Sequence, residues 1–222
     1  MSGRRPLALL LALFAGLALG YSLLMPLWEA PDETAHYLYA LILARQGRPP
    51  TFDETYEALQ PPAYYALAAV ALRGLDALDP ALAEPYRPPL AGRDAPLRYA
   101  WDAGNYRFIW GAYLLRWLNI PLGMLAVAAI YLGARKALEP GSGGAPMAAA
   151  ALVALLPQFL HNTVTVGNDA LANLAGALLF WLLVAIGRGA GRPGWLWPAG
   201  LVALALPFLI KLTLLPLALG LA

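Results

Sequence analysis

No cysteine occurs in the 222 residues, so neither a disulfide framework nor a thiolate metal site is available to this chain. Charge is scarce too: Asp, Glu, Lys and Arg make up 13% of the sequence, against about a quarter in an ordinary soluble domain. Histidine occurs only at His36 and His161, and of the thirteen acids all but Glu139 and Asp169 lie between Glu29 and Asp102. No basic patch with interleaved aromatics is present, which removes nucleic acid from the candidate partners. There is no internal repeat and no low-complexity tract. What abounds is apolar: 60% of the residues are hydrophobic, a composition that belongs in a lipid bilayer.

The expected fold class is all-α, a single polytopic membrane domain over 1–222. Residues 1–27 supply the first span, 28–117 a long external loop carrying interfacial helices, and 118–222 further spans. The first span opens with Arg4 and Arg5 and runs on past Ala18-Leu19-Gly20, the small-residue cleavage site a signal peptide would use, to Leu27. That continuation favours an anchor over a cleaved signal peptide. Residues 63–72, AYYALAAVAL, are too short to cross and suit an interfacial or re-entrant helix. Asp79 to Arg98 reads as an irregular loop, and Trp101, Tyr106, Trp110, Tyr113 and Trp117 read as headgroup-level anchors. Spans are then expected over 118–132, 145–160, 170–186 and 195–210, with a sixth opening at 214. The chain ends inside an apolar run, so it is expected to be the N-terminal part of a longer protein. This arrangement puts Arg4, Arg5, Arg135, Lys136, Arg188 and Arg192 on the cytoplasmic side of a bacterial-type plasma membrane, as short basic loops require. The N-terminus is then cytoplasmic and the first loop extracytoplasmic.

The stretch that organises the rest is residues 28–47, WEAPDETAHYLYALILARQG. Pro31 suits the first position of a helix and Gly47 its end. Helical spacing over Asp32, Glu33 and His36 would bring the imidazole over two carboxylates, a cluster able to move protons or hold a cation. Acids in a first turn also complement the helix dipole by about 0.3–1 kcal/mol each, the plain structural alternative. The topology gathers Asp32, Glu33, His36, His161, Asn168, Asp169 and Lys211 on the external face. Acids at a membrane surface suit chemistry on a lipid-linked donor whose polyprenyl tail lies in the bilayer. A carboxylate there can take the proton of an attacking hydroxyl, and a cation such as Lys211 can stabilise the departing phosphate. Asp32, Glu33 and His36 are the metal-ligand candidates if a divalent cation takes part; carboxylates and imidazole alone do not fix which metal.

Several short motifs stand in a telling order: PDETAH after the first span, QPPAYY near position 60, ARKAL closing the second span, GNDAL before the fourth and IKLT after the fifth. In that order they resemble the integral-membrane glycosyltransferases of the GT-C fold, in particular the protein O-mannosyltransferase and aminoarabinose transferase-like group. PDE with a histidine three residues on, followed by PPxYY, is also similar to a less characterised set of bacterial membrane proteins near them. The resemblance implies Asp32 as catalytic base, Glu33 as its neighbour, Asp169 as the second external acid and Lys211 as the lysine holding the donor phosphate. It implies a polyprenyl-phosphate sugar donor as partner, with the bilayer itself, and leaves the sugar and acceptor unnamed. His36, Tyr64 and Tyr65 join Lys211 as substrate-binding candidates, with packing the plain alternative for the tyrosines. A complete member has more spans and usually a soluble C-terminal part.

Plain alternatives stand beside these assignments. Asn168 is a natural N-cap with Asp169 favouring the dipole, and His161 and the arginines from Arg45 to Arg116 read as solvated surface. Two other function classes fit the composition: a transporter or flippase for lipid-linked sugars, which would place ionisable groups near the bilayer midplane, and a non-enzymatic membrane assembly protein.

Overall fold

The structure, a computed structural model, describes residues 4–78, 106–138, 141–188, 194 and 196–220. Among these no strand forms. Helices α1 (Arg4–Leu24), α2 (Glu33–Gln46), α3 (Ala63–Leu78), α4 (Tyr106–Ala137), α5 (Ala145–Ala154), α6 (Pro157–Val164), α7 (Asp169–Gly187), α8 (Leu196–Leu209) and α9 (Leu215–Leu219) follow one another, with short 3-10 turns at Tyr56–Leu59 and Leu212–Leu214. Three are long and apolar enough to cross a bilayer: α1 from Arg5, α4 from Trp110 and α7. The pair α5–α6 makes a fourth span if its two arms, bent by 56°, are counted together. The bend has a local cause. Pro157 has no N–H to continue the helix, and Leu156 before it is held extended at φ −69°, ψ 120°.

Of the five expected spans, the first, second and fourth are recovered with shifted bounds, in α1, α4 and α7. The aromatic approach to the second span is not a loop flank: from Tyr106 onward it is the first three turns of the 32-residue α4, with Pro121 inside. The third span breaks, and His161 lies in α6 instead of a polar turn. The fifth shrinks to the 14 residues of α8, short of a full crossing. The helix expected over 63–72 extends to the 16 residues of α3 and takes in Arg73 and Asp76. Residues 79–105, with the expected irregular loop and Trp101, and Glu139 and Arg192 lie outside the described residues.

Close approach of small residues organises the packing, as expected where lipid removes the hydrophobic drive between helices. A Cβ on Gly123 of α4 would stand 2.7 Å from Thr163 Cγ2 of α6 and 2.9 Å from Phe14 Cζ of α1, and one on Gly133 would stand 2.7 Å from Phe180 of α7. Helices α4 and α7 run side by side in the same direction, Ala126 and Ala129 packing with Ala177. Helix α1 runs opposite to α4: Phe14 packs on Val127 near its middle, and Ser22 meets Arg116 near its end. The end of α1, the start of α7 and the end of α8 therefore share one end of the bundle.

Helices α2 and α3 are joined to that end. Tyr64, Tyr65, Ala68, Ala69 and Leu72 form one buried stripe of α3, packed with Tyr37, Tyr39, Ala40 and Ala44 of α2. Tyr39 and Tyr65 stack with ring centroids 3.7 Å apart. Gly47 ends α2 in the left-handed conformation at φ 69°, its N–H returning to Leu43 O, the αL stop that glycine adopts without a Cβ penalty. The Arg73 guanidinium donates to the carbonyls of the last turn, to Ala44 O at 2.6 Å and to Leu43 O at 3.3 Å.

Candidate functional site

The turn before α2 separates the two acids of PDE. The helix begins at Glu33, two residues later than Pro31 suggests, and Asp32 sits ahead of it at φ 64°, ψ −2°. A non-glycine residue in the left-handed region is uncommon, and such outliers gather at functional sites. With Asp32 outside the helix, the expected stacking of His36 over both carboxylates does not form.

Glu33 instead turns inward and is fully buried. Each of its oxygens accepts two hydrogen bonds: Oε1 from Arg116 Nε at 2.7 Å and the Val166 N–H at 3.0 Å, Oε2 from Arg116 Nη2 at 2.7 Å and the Trp28 N–H at 2.9 Å. Arg116 spends its other donors on the carbonyls of Ser22 (3.0 Å), Met25 (2.8 Å) and Pro26 (3.0 Å). All five guanidinium hydrogens are thereby used. Arg116 is fully buried, which corrects its reading as solvated surface. A lone cation in the otherwise apolar run WGAYLLRWLNIP was the available signal, because a charge at that depth needs a partner. The pair ties the end of α1, the start of α2, α4 and the linker before α7 into one junction.

Asp32 is exposed and keeps one oxygen engaged, Oδ1 accepting from the Tyr56 hydroxyl at 2.7 Å. Partial burial and then this carboxylate push the Tyr56 phenol up to about 12. Next to it lies His36, whose Nδ1 is 2.6 Å from the Tyr65 hydroxyl and 3.9 Å from Glu57 Oε2. Burial lowers the His36 pKa below 6.5 and outweighs the raising influence of Glu57, Asp169 and Asp32, while Lys211 adds to the lowering. The ring is therefore neutral at pH 7. Glu57 was not singled out in the sequence and nothing there marks it. Its Oε2 is buried without a hydrogen-bond partner.

The far side of the site comes from the other end of the chain. Asp169 opens α7 and its carboxylate pairs with Lys211, which follows α8. Asn168 does not cap α7 with its side chain; its amide donates to Gln60 Oε1 at 3.0 Å and Ile210 O at 3.3 Å. Gly167 lies against the Nε2–Cδ2 edge of His36, where a Cβ would stand 3.3 Å from Cδ2 and 3.6 Å from Nε2. Tyr64 and Tyr65 have no exposed face, so packing accounts for their rings. The Tyr64 hydroxyl accepts from the Gly167 N–H at 3.3 Å and from Asn119 at 3.4 Å, and burial pushes it up to about 12.

Of the sequence candidates, then, Asp32, His36, Asp169 and Lys211 surround one polar region, Tyr65 backs it, and Glu33 is withdrawn into the pair with Arg116. Half-buried His161 lies on α6, its Nδ1 3.5 Å from Asn162 Oδ1. Among the described residues no three His, Asp or Glu side chains converge as metal ligands, and the set Asp32, Glu33 and His36 is not assembled. No family model, curated protein or solved structure matches this chain.

Proposed function

We propose that this chain is a membrane glycosyltransferase that moves a sugar from a polyprenyl-phosphate donor to a hydroxyl acceptor on the extracytoplasmic face. The observation that carries the reading is a convergence at one end of an apolar bundle: the His36 N–H donates to the Asp32 carbonyl, the His36 ring lies against Gly167, and Asp169, two residues on, pairs with Lys211. Membrane helices offer the donor tail an apolar environment, and the polar end meets its sugar phosphate where the bilayer ends.

The residues divide the chemistry between them. Asp32, exposed and held in a left-handed backbone conformation, is the base: its free oxygen takes the proton as the acceptor oxygen attacks the anomeric carbon and the bond from that carbon to the phosphate oxygen breaks. Electrons of the broken bond leave with the polyprenyl phosphate, and the displacement inverts the sugar carbon. Lys211 pairs with that phosphate as it departs. At about 4 Å and an effective dielectric constant of about 20, one such charge pair is worth about 4 kcal/mol. Asp169 holds the ammonium in place before the donor arrives.

The test is transfer of label from a panel of polyprenyl-phosphate sugars by membranes carrying the protein. Asp32→Asn is expected to abolish transfer while donor binding persists, and Lys211→Met to lower kcat/KM by up to about a thousandfold, the charge-pair energy expressed as a rate. Wild-type rates in Asp32→Asn remove the reading. Donor binding without transfer by the wild type moves the assignment to a carrier of lipid-linked sugars.

A further inference from the structure

The orphaned oxygen of Glu57 calls for an explanation, because a buried acceptor without a donor is destabilising and natural structures seldom keep one without a use. Oε2 is buried and unpartnered, and among the described residues His36 Nδ1 stands 3.9 Å from it. That same nitrogen is hydrogen-bonded to the Tyr65 hydroxyl. A hydroxyl can donate or accept, so Tyr65 by itself leaves the imidazole free to take either tautomer. A carboxylate beside Nδ1 does not: it favours the hydrogen on Nδ1, as a buried acid does for a catalytic histidine.

We propose that Glu57 is a positioning residue that holds His36 as its Nδ1–H tautomer, so that Nε2 presents a lone pair and the ring recognises a hydroxyl hydrogen of the ligand.

The remaining geometry agrees. With Nδ1 turned to Tyr65 and Glu57, the Nε2 edge turns to Gly167 at the head of α7, where a side chain would crowd it. The groups acting on the ring are Asp32 from the turn before α2, Glu57 from the 3-10 turn, Asp169 from α7 and Lys211 after α8, with Tyr65 from α3 in direct contact. Three of those five are acids, so a hydrogen-bond donor is a better neighbour for Nε2 than an anion. An Nε2–H would instead read phosphate or carbonyl oxygen. The lone pair assigns His36 to a sugar or acceptor hydroxyl and leaves the phosphate to Lys211. The identity of that ligand rests on the glycosyl-transfer reading of the same site; the tautomer does not.

The experiment is long-range proton–nitrogen NMR on the full chain in lipid nanodiscs, labelled with 15N-histidine, in a His161→Gln background that leaves one imidazole. At pH 7 His36 is expected to be protonated on Nδ1 alone. Glu57→Leu, which removes the orphaned oxygen without burying a new polar group, is expected to move the proton to Nε2, Tyr65 then donating to Nδ1. Tyr65→Phe is expected to keep the Nδ1–H form, because the carboxylate remains. Methyl glycosides of mannose, glucose and arabinose serve as hydroxyl probes and inorganic phosphate as the anion control; at least one glycoside is expected to move the Nε2 resonance and phosphate to leave it. Repeating the titration with polyprenyl-phosphate mannose tells a donor-sugar hydroxyl from an acceptor hydroxyl. A wild-type ring protonated on Nε2, a tautomer unchanged in Glu57→Leu, or no glycoside response overturns the inference. If glycosides act on Nε2 while no donor supports transfer, the glycosyltransferase reading falls and the assignment of Glu57 and His36 stands.

Discussion

Replacing Arg116 by leucine removes five donors from the interior at one stroke and leaves the Glu33 carboxylate buried with two backbone N–H groups for company. Removing one member of a buried pair destabilises by about 3–5 kcal/mol, because the survivor is an uncompensated charge. Three carbonyls, of Ser22, Met25 and Pro26, lose their donor as well, which sets the expectation at the upper end of that range. For a chain of this size each kcal/mol moves Tm by about 2–4 °C, so Arg116→Leu is expected to lower it by about 10–20 °C. The assay is thermal unfolding of the full chain in one detergent, with Glu33→Leu and the double variant alongside. The double variant restores no carbonyl partner but removes the stranded charge. Its loss is therefore expected to fall short of the sum of the singles by about 2–3 kcal/mol of coupling. Strictly additive losses, or an Arg116→Leu protein within about 2 °C of wild type, would refute the pair as the junction's anchor.

Three further outcomes are expected. Asp32→Gly relieves a left-handed residue, so it is expected to raise Tm by about 2–4 °C, worth about 1 kcal/mol, while transfer is lost; a fall in Tm would show that Asp32 is not strained. Gly123→Ala puts a methyl 2.7 Å from Thr163 and 2.9 Å from Phe14 and is expected to cost about 1–3 kcal/mol by overpacking, read as a lower Tm. His36 has a folded pKa below the ordinary 6.5, so the unfolded chain binds the proton more readily. Stability is expected to be intact above pH 6.5, to fall as pH drops from there to the lowered folded value, and to level off below it; a His36→Gln protein should lack this segment of the Tm–pH curve.

Span existence was legible because it depends only on length and apolar content, and α1, α4 and α7 follow the hydrophobic runs. Bounds were less legible, since aromatic residues that anchor an interface also continue a helix, and the run from Tyr106 does the latter. The polar end was legible in its members and not in its wiring. Asp32, His36, Asp169 and Lys211 stand out as charge beside apolar segments, but helical spacing assumed that Asp32 lies in the helix, and its left-handed backbone removes it. Arg116 and Glu33 are 83 residues apart, and no local period links such a pair. Glu57 lies in a charged loop where nothing distinguishes one acid from another until His36 is brought beside it.

The neighbouring acids Asp32 and Glu33 divide their work because the chain turns between them. Glu33 points inward and fixes where α2 starts, by holding the Trp28 N–H on one side and the α6–α7 linker through Val166 on the other. Asp32, one residue earlier, is thereby left outside the helix, facing Tyr56 and the polar region. Glu33→Gln is consequently a more revealing change than its size suggests. Whichever way the new amide is turned, its NH2 replaces an oxygen that accepts from both Arg116 and a backbone N–H, and donor meets donor. The start of α2 must shift to relieve this, and Asp32 shifts with it. Expected are a lower Tm and a kcat reduced well beyond any change in donor KM, because a base displaced by about 1 Å loses about a hundredfold in rate. A Glu33→Gln protein with wild-type Tm and kcat would mean that Asp32 keeps its place without the buried pair, and the division of labour would have to be sought elsewhere.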